Sequence, residues 1–251
     1  MIEAFYFGPH DEQLFATYHP PAGGNARSLT VICPPLFSEY MRTQHALREL
    51  AIVLAAEGQH VLRFDYRGTG DSSGDLEEVA ISDWLEDIQL AIREGRDVSG
   101  CTMVQLLGVR AGALLACRSA GACAEIEKLV LWDPVQGGTE YIENLRHVQA
   151  EILERNRYLS RAERREAMLE YGGHHLSERM LKEFHSLDAR AYSSVPKQKL
   201  HVVSTSQAAA FPVEGVSRDV AQFSCEWETP TEDQMLPQPV LERLTACLTL
   251  P

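Results

Sequence analysis

Val61-Leu62-Arg63-Phe64-Asp65-Tyr66-Arg67-Gly68-Thr69-Gly70-Asp71-Ser72-Ser73-Gly74 is the stretch that decides how this chain folds. A short apolar run ends at Asp65 and passes into a turn built from glycine, serine and aspartate. Residues 82–95 then carry helical spacing, with Ser82 as the expected N-cap. Strand, turn and helix in that order form one unit of alternating α/β architecture.

The same unit recurs on either side. Upstream, Leu29-Thr30-Val31-Ile32-Cys33 is a continuous apolar run, as expected of a strand buried on both faces, and Pro34-Pro35 ends it. Residues 44–57 follow as a helix with Ala46, Leu47, Leu50, Val53 and Leu54 on one stripe, and Gly58 stops it. Residues 3–19 read as two strands around a turn at Gly8-Pro9-His10-Asp11. Downstream come a strand at 102–107, a helix rich in small residues at 111–120, and a strand at 128–132. This alternation predicts a mostly parallel sheet with helices on both faces.

The pattern breaks at 138–190, which is charged and helical, with Ser177 expected to cap a helix running to Leu187. Strand chemistry returns at 199–204 and 222–227, and a final helix is expected at 238–248. The expected organisation is therefore a core of residues 1–137 and 191–251, with 138–190 as a helical cap.

Composition narrows the function. A formal net charge of −13 opposes nucleic acid and anionic membrane surfaces. Met1–Phe7 reads as a strand and not as a signal peptide, and the longest apolar stretches are too short to span a bilayer. The six cysteines form no Cys-x-x-Cys pair and no zinc spacing, so reduced buried thiols in a cytoplasmic protein are expected, with no metal. No dinucleotide loop or Walker loop is present, so no cofactor is expected.

The whole order resembles the α/β-hydrolase superfamily. Val31-Ile32-Cys33-Pro34-Pro35-Leu36 stands where that superfamily has its oxyanion loop, and 65–74 resembles its D-x-R-G-x-G-x-S turn. Gly108-Val109-Arg110-Ala111-Gly112 sits where the G-x-S-x-G nucleophile elbow belongs. Cys33-Pro34-Pro35, residues 62–72 and the Gly-x-Arg-x-Gly segment are similar, more narrowly, to the hydrolase-like proteins encoded beside exosortase systems in exopolysaccharide-producing bacteria.

The resemblance implies a Ser-His-Asp triad, and the residues depart from it. Arg110 occupies the serine position, and a guanidinium has no lone pair with which to attack a carbonyl. No histidine follows the last expected strand, since the final one is His201 at a strand start. The loop Ser204-Thr205-Ser206-Gln207 lacks the expected acid. None of the usual triad is therefore expected. Cys33 reads as core, Ser38 has no histidine beside it in sequence, and Ser72 and Ser73 read as turn residues.

Arg110 adds positive charge to a helix N-terminus, so an anion must answer it. One answer is internal: Asp133 first, with Glu39 and Glu228 also near the carboxyl end of the sheet. The other is a small anionic or acyl ligand, held by Arg110, Ala111, Leu36 and Phe37. His174 and His175, in the helical insertion, are candidates to overhang that pocket, and with Asp133 or Glu39 to supply a base if the chain hydrolyses an ester, thioester or acylated sugar. The insertion also offers an apolar face for a homodimer or a protein partner.

Overall fold

The computed structural model describes residues 1–23, 28–121, 123, 125–205, 211–229, 231 and 233–249. Among these, eight strands form one sheet: β1 (Glu3–Phe7), β2 (Leu14–His19), β3 (Ser28–Cys33), β4 (His60–Phe64), β5 (Met103–Val109), β6 (Ile126–Trp132), β7 (Leu200–Thr205) and β8 (Ser217–Ala221). Their spatial order is β1-β2-β4-β3-β5-β6-β7-β8. β2 pairs antiparallel with β1 and β4, and the remaining pairs are parallel.

Side chains alternate across this sheet and build two cores. Val31, Leu106 and Leu131 enter the core under α2 (Ile81–Ser99) and α3 (Ala111–Ala120). Ile32, Leu107 and Trp132 enter the core under α1 (Phe37–Ala56) and α8 (Gln238–Thr249). Both faces are covered, which is why these strands read as unbroken apolar runs.

Three boundaries differ from the sequence reading. α1 begins at Phe37, a full two turns before residue 44. Its early turns lack an apolar stripe because, after Phe37, the side chains they bury are polar: Glu39, Arg42 and Thr43. α2 is not capped by Ser82. Its N-cap is Ala80, whose N–H donates to the Asp83 carboxylate at 2.8 Å, while Ser82 turns to Glu183. The eighth strand is the polar edge Ser217–Ala221, and 222–227 is an irregular loop. The apolar alternation of Phe223, Cys225 and Trp227 reflects packing on one side only.

The segment after β6 is helical: α4 (Gly138–Arg155), α5 (Arg161–Ala167), α6 (Glu178–Ser186) and α7 (Arg190–Ser193). Ser177 caps α6, accepting from Met180 N–H at 3.1 Å. Tyr141 of α4 and Phe184 of α6 join the same core as Trp84 and Leu114, so these helices pack directly on the sheet layer. No helix among the described residues is long and apolar enough to cross a membrane.

Candidate functional site

β3 neighbours β4 on one side and β5 on the other, so the chain reverses direction across the sheet between β3 and β5. Such a switch point opens a crevice beyond the carboxyl ends of the two strands. Leu36 leaves β3 there, and Arg110 leaves β5.

Arg110 lies in a sharp turn between β5 and α3, with φ 53° and ψ −121°. A non-glycine residue in that conformation stores about 1–3 kcal/mol of strain, and its surroundings must hold it. They do so through close backbone contact. A Cβ on Gly108 would stand 2.5 Å from Ala113 Cα, and one on Gly112 would stand 2.3 Å from the Pro34 carbonyl oxygen. Only glycine lets α3 approach β3 and β5 this closely. The Arg110 N–H donates to the Trp132 carbonyl at 3.0 Å, fixing the turn to β6.

The guanidinium is fully engaged on its inner side. Nε donates to Glu39 Oε1 at 2.9 Å, and Nη1 donates to the Asp133 carbonyl at 3.1 Å. Its central carbon lies 4.8 Å from the Trp227 ring centroid, a cation–π distance. The other Glu39 oxygen accepts from Tyr141 Oη at 3.1 Å, and the same hydroxyl reaches the Leu36 carbonyl at 3.4 Å. Burial works to lower the Arg110 pKa, but Glu39, with smaller help from Tyr141 and Asp133, outweighs it and the guanidinium is held charged. Burial also lifts the Glu39 carboxyl above its ordinary range, and Arg110, Tyr141 and Arg42 only partly offset this.

Asp133 was the expected acid partner of Arg110, and its carboxylate is spent elsewhere. Oδ1 accepts from Thr205 N–H at 2.7 Å, and Oδ2 accepts from Thr205 Oγ1 and Trp227 Nε1, each at 2.9 Å. The Asp133 backbone, at φ 42°, turns that carboxylate toward β7 and leaves only its carbonyl for Arg110. Arg42 completes the wall by donating to the carbonyls of Glu226 and Trp227 at 3.0 and 3.2 Å. Glu228, the third acid considered, is exposed and accepts from Asn144 at 2.8 Å.

Above this cluster lies a cavity of about 350 Å³ lined by Arg110, Asp133, Tyr141, Asn144, Cys225 and Trp227 among others, with Glu140, Glu226 and Glu228 exposed around it. Burial pushes the Cys225 thiol up to about 12, so it is protonated at neutral pH, and it contacts Met235 Sδ at 3.0 Å.

The family model for serine aminopeptidase, S33, matches residues 24–193. The chain belongs to that family. No curated protein matches its sequence. Among solved structures it is similar to an esterase from Pyrococcus furiosus, with TM-score 0.64 and 15% identity, covering 99% of this chain and 90% of that one. It is similar to Est1E from Butyrivibrio proteoclasticus with ferulic acid bound, at TM-score 0.63 and 18% identity, covering 98% and 96%. A soluble variant of the Saccharomyces cerevisiae monoglyceride lipase aligns at TM-score 0.64 and 12% identity, covering 99% and 94%. At identities this low, these superpositions show the fold alone, that of an α/β-hydrolase.

In this family member the expected site residues divide into two groups. Arg110 and Asp133 line the cavity, and Glu39 lies beneath it, bonded to Arg110. Leu36, Phe37 and Ala111 are buried behind it and do not line it. His174 does not line it either: its ring packs on Phe37 at 5.3 Å, and burial lowers its pKa. His175 is exposed, 3.6 Å from Glu170. The loop residues Ser206 and Gln207 lie outside the described residues. Cys33 is buried in β3, and Ser72 organises backbone by donating to the Asp65 carbonyl and accepting from Phe15 N–H. Tyr141, Arg42, Thr205 and Trp227 were not foreseen. The one signal for Arg42 is its place one helical turn after Glu39 in a segment with no apolar stripe.

Proposed function

We propose that this member of the serine aminopeptidase S33 family binds a ligand in its cavity without hydrolysing it. The observation that carries the reading is the buried Arg110–Glu39 pair at the strand–helix turn. That turn is where an α/β-hydrolase presents its nucleophilic serine. Arg110 has no lone pair to attack with, and Glu39 accepts from both of its neighbours, so neither is free for nucleophilic or base chemistry. The remaining groups support the same reading. The Asp133 carboxylate is committed to Thr205 and Trp227, the Cys225 thiol is protonated, the His174 ring packs on Phe37, and His175 is exposed beside Glu170.

The expected anionic ligand gives way to a neutral or cationic one. Glu39 already answers the charge of Arg110, and Glu140, Glu226 and Glu228 surround the cavity with carboxylates. A small ligand bearing hydroxyls or an amine suits that field, and a sugar acid opposes it. The resemblance to the exosortase-associated proteins extends the proposal to a cytoplasmic accessory role in exopolysaccharide assembly or protein sorting.

Thermal-shift measurements with matched amines, neutral sugars and sugar acids test the ligand class. A ligand at 100 times its Kd stabilises by about 2.7 kcal/mol. Amines or neutral sugars should raise the Tm of the wild type and lose that effect in Trp227→Ala. Stabilisation by sugar acids alone contradicts the proposed ligand class.

A further inference from the structure

We infer that His201, Asp219 and Cys247 form a binding site for a zinc-class transition-metal ion, at the opposite end of β7 from the Arg110 cavity. Their ligand atoms all lie within 4.8 Å of one another. His201 Nε2 stands 3.0 Å from Asp219 Oδ2, and Cys247 Sγ stands 3.6 Å from the same oxygen. Ligand atoms in a tetrahedral zinc shell, at about 2.0–2.3 Å from the metal, stand roughly 3.3–3.7 Å apart. Both separations through Asp219 are within a few tenths of an ångström of that range, and the His201–Cys247 pair, held within 4.8 Å, needs to close by no more than about 1 Å to complete the shell.

The fold explains the convergence. His201 pairs with Ser217 across β7 and β8, which places Asp219 diagonally opposite on the same face. α8 packs on that face and adds Cys247. The donors are 18 and 28 residues apart in sequence, so no spacing motif announces them.

The donor set balances a dication. His201 would bind as the neutral imidazole through Nε2, Asp219 as the carboxylate, and Cys247 as the thiolate, releasing its proton to solvent. Without a metal, burial and Asp219 push the Cys247 thiol up to about 12. Lys128 and Arg243 work in the other direction and favour the thiolate. The same two cations repel a metal, so the affinity should fall below that of a closed four-cysteine site. The His201 and Asp219 side chains are 23% and 39% exposed, which gives the ion an entry path and leaves one position for water.

Cobalt(II), added to reduced and chelator-treated protein, is the probe. One equivalent should bind with a thiolate-to-cobalt charge-transfer band, and zinc(II) should displace it. Cys247→Ser should abolish the band, and His201→Gln should weaken cobalt binding by at least ~10-fold. Cys123→Ser, at the one described cysteine that is not buried, should change neither. If Cys247→Ser does not fold, His201→Gln decides the question alone. A wild-type titration without the band overturns the site. So does a band that survives Cys247→Ser, or an affinity unchanged in His201→Gln.

Discussion

Glu39→Gln isolates the buried interaction that holds Arg110 beneath the cavity. The substitution keeps the shape of the side chain and removes its charge, leaving the Arg110 guanidinium buried without a counter-ion. The two side chains are only 11% and 6% exposed, so solvent screens them little. At 2.9 Å and an effective dielectric of about 20, their attraction is roughly 6 kcal/mol. Desolvation of both groups consumes part of that, and removing one partner of a buried pair costs about 3–5 kcal/mol. Glu39→Gln should therefore lose about 3–5 kcal/mol in urea unfolding, with the slope of the transition unchanged. The double variant Glu39→Gln/Arg110→Met should recover most of the loss, because no buried charge remains. A single-variant cost under about 1 kcal/mol, or a double variant no better than the single, refutes a tightly coupled pair.

Gly112→Ala should fail to accumulate as folded protein in expression and circular-dichroism assays, because its Cβ would meet the carbonyl oxygens of Pro34 and Cys33 at 2.3 and 2.6 Å. His19 is buried, with no hydrogen-bond partner at either ring nitrogen among the described residues, and burial followed by Arg63 and Arg48 lowers its pKa from 6.5 to about 4. Its contribution is complete above pH 6.5 and is lost as pH falls toward 4, a loss of about 3 kcal/mol. Unfolding free energies of wild type and His19→Leu should differ by that much more at pH 7 than at pH 4, and a pH-independent difference contradicts a neutral buried His19. Homodimerisation through the helical segment predicts a dilution-dependent mass in light scattering, and monomer at every concentration removes it.

The fold was legible because its strands are buried on both faces and its helices carry apolar stripes. Val31, Ile32, Leu106 and Leu107 declare the sheet directly. The misplaced elements are those whose burial is polar or irregular. The start of α1 was hidden because Glu39, Arg42 and Thr43 face inward, and β8 because an edge strand needs few apolar residues. The site was half legible. Arg110 and the surrounding glycines are adjacent in sequence and mark the turn. The choice of Glu39 over Asp133 is set by the Asp133 backbone, and that depends on Thr205 and Trp227 arriving from 72 and 94 residues away. Tyr141 reaches Glu39 from a helix whose apolar pattern gives no hint of a polar contact.

Hydrolysis of esters and thioesters with short, medium and long acyl chains, by extensively purified wild type and Arg110→Ala, tests the central claim most directly. A non-hydrolytic Arg110 site predicts no turnover above buffer from either protein. Turnover that persists through repeated purification and changes with Arg110→Ala would show a working catalytic site and contradict it.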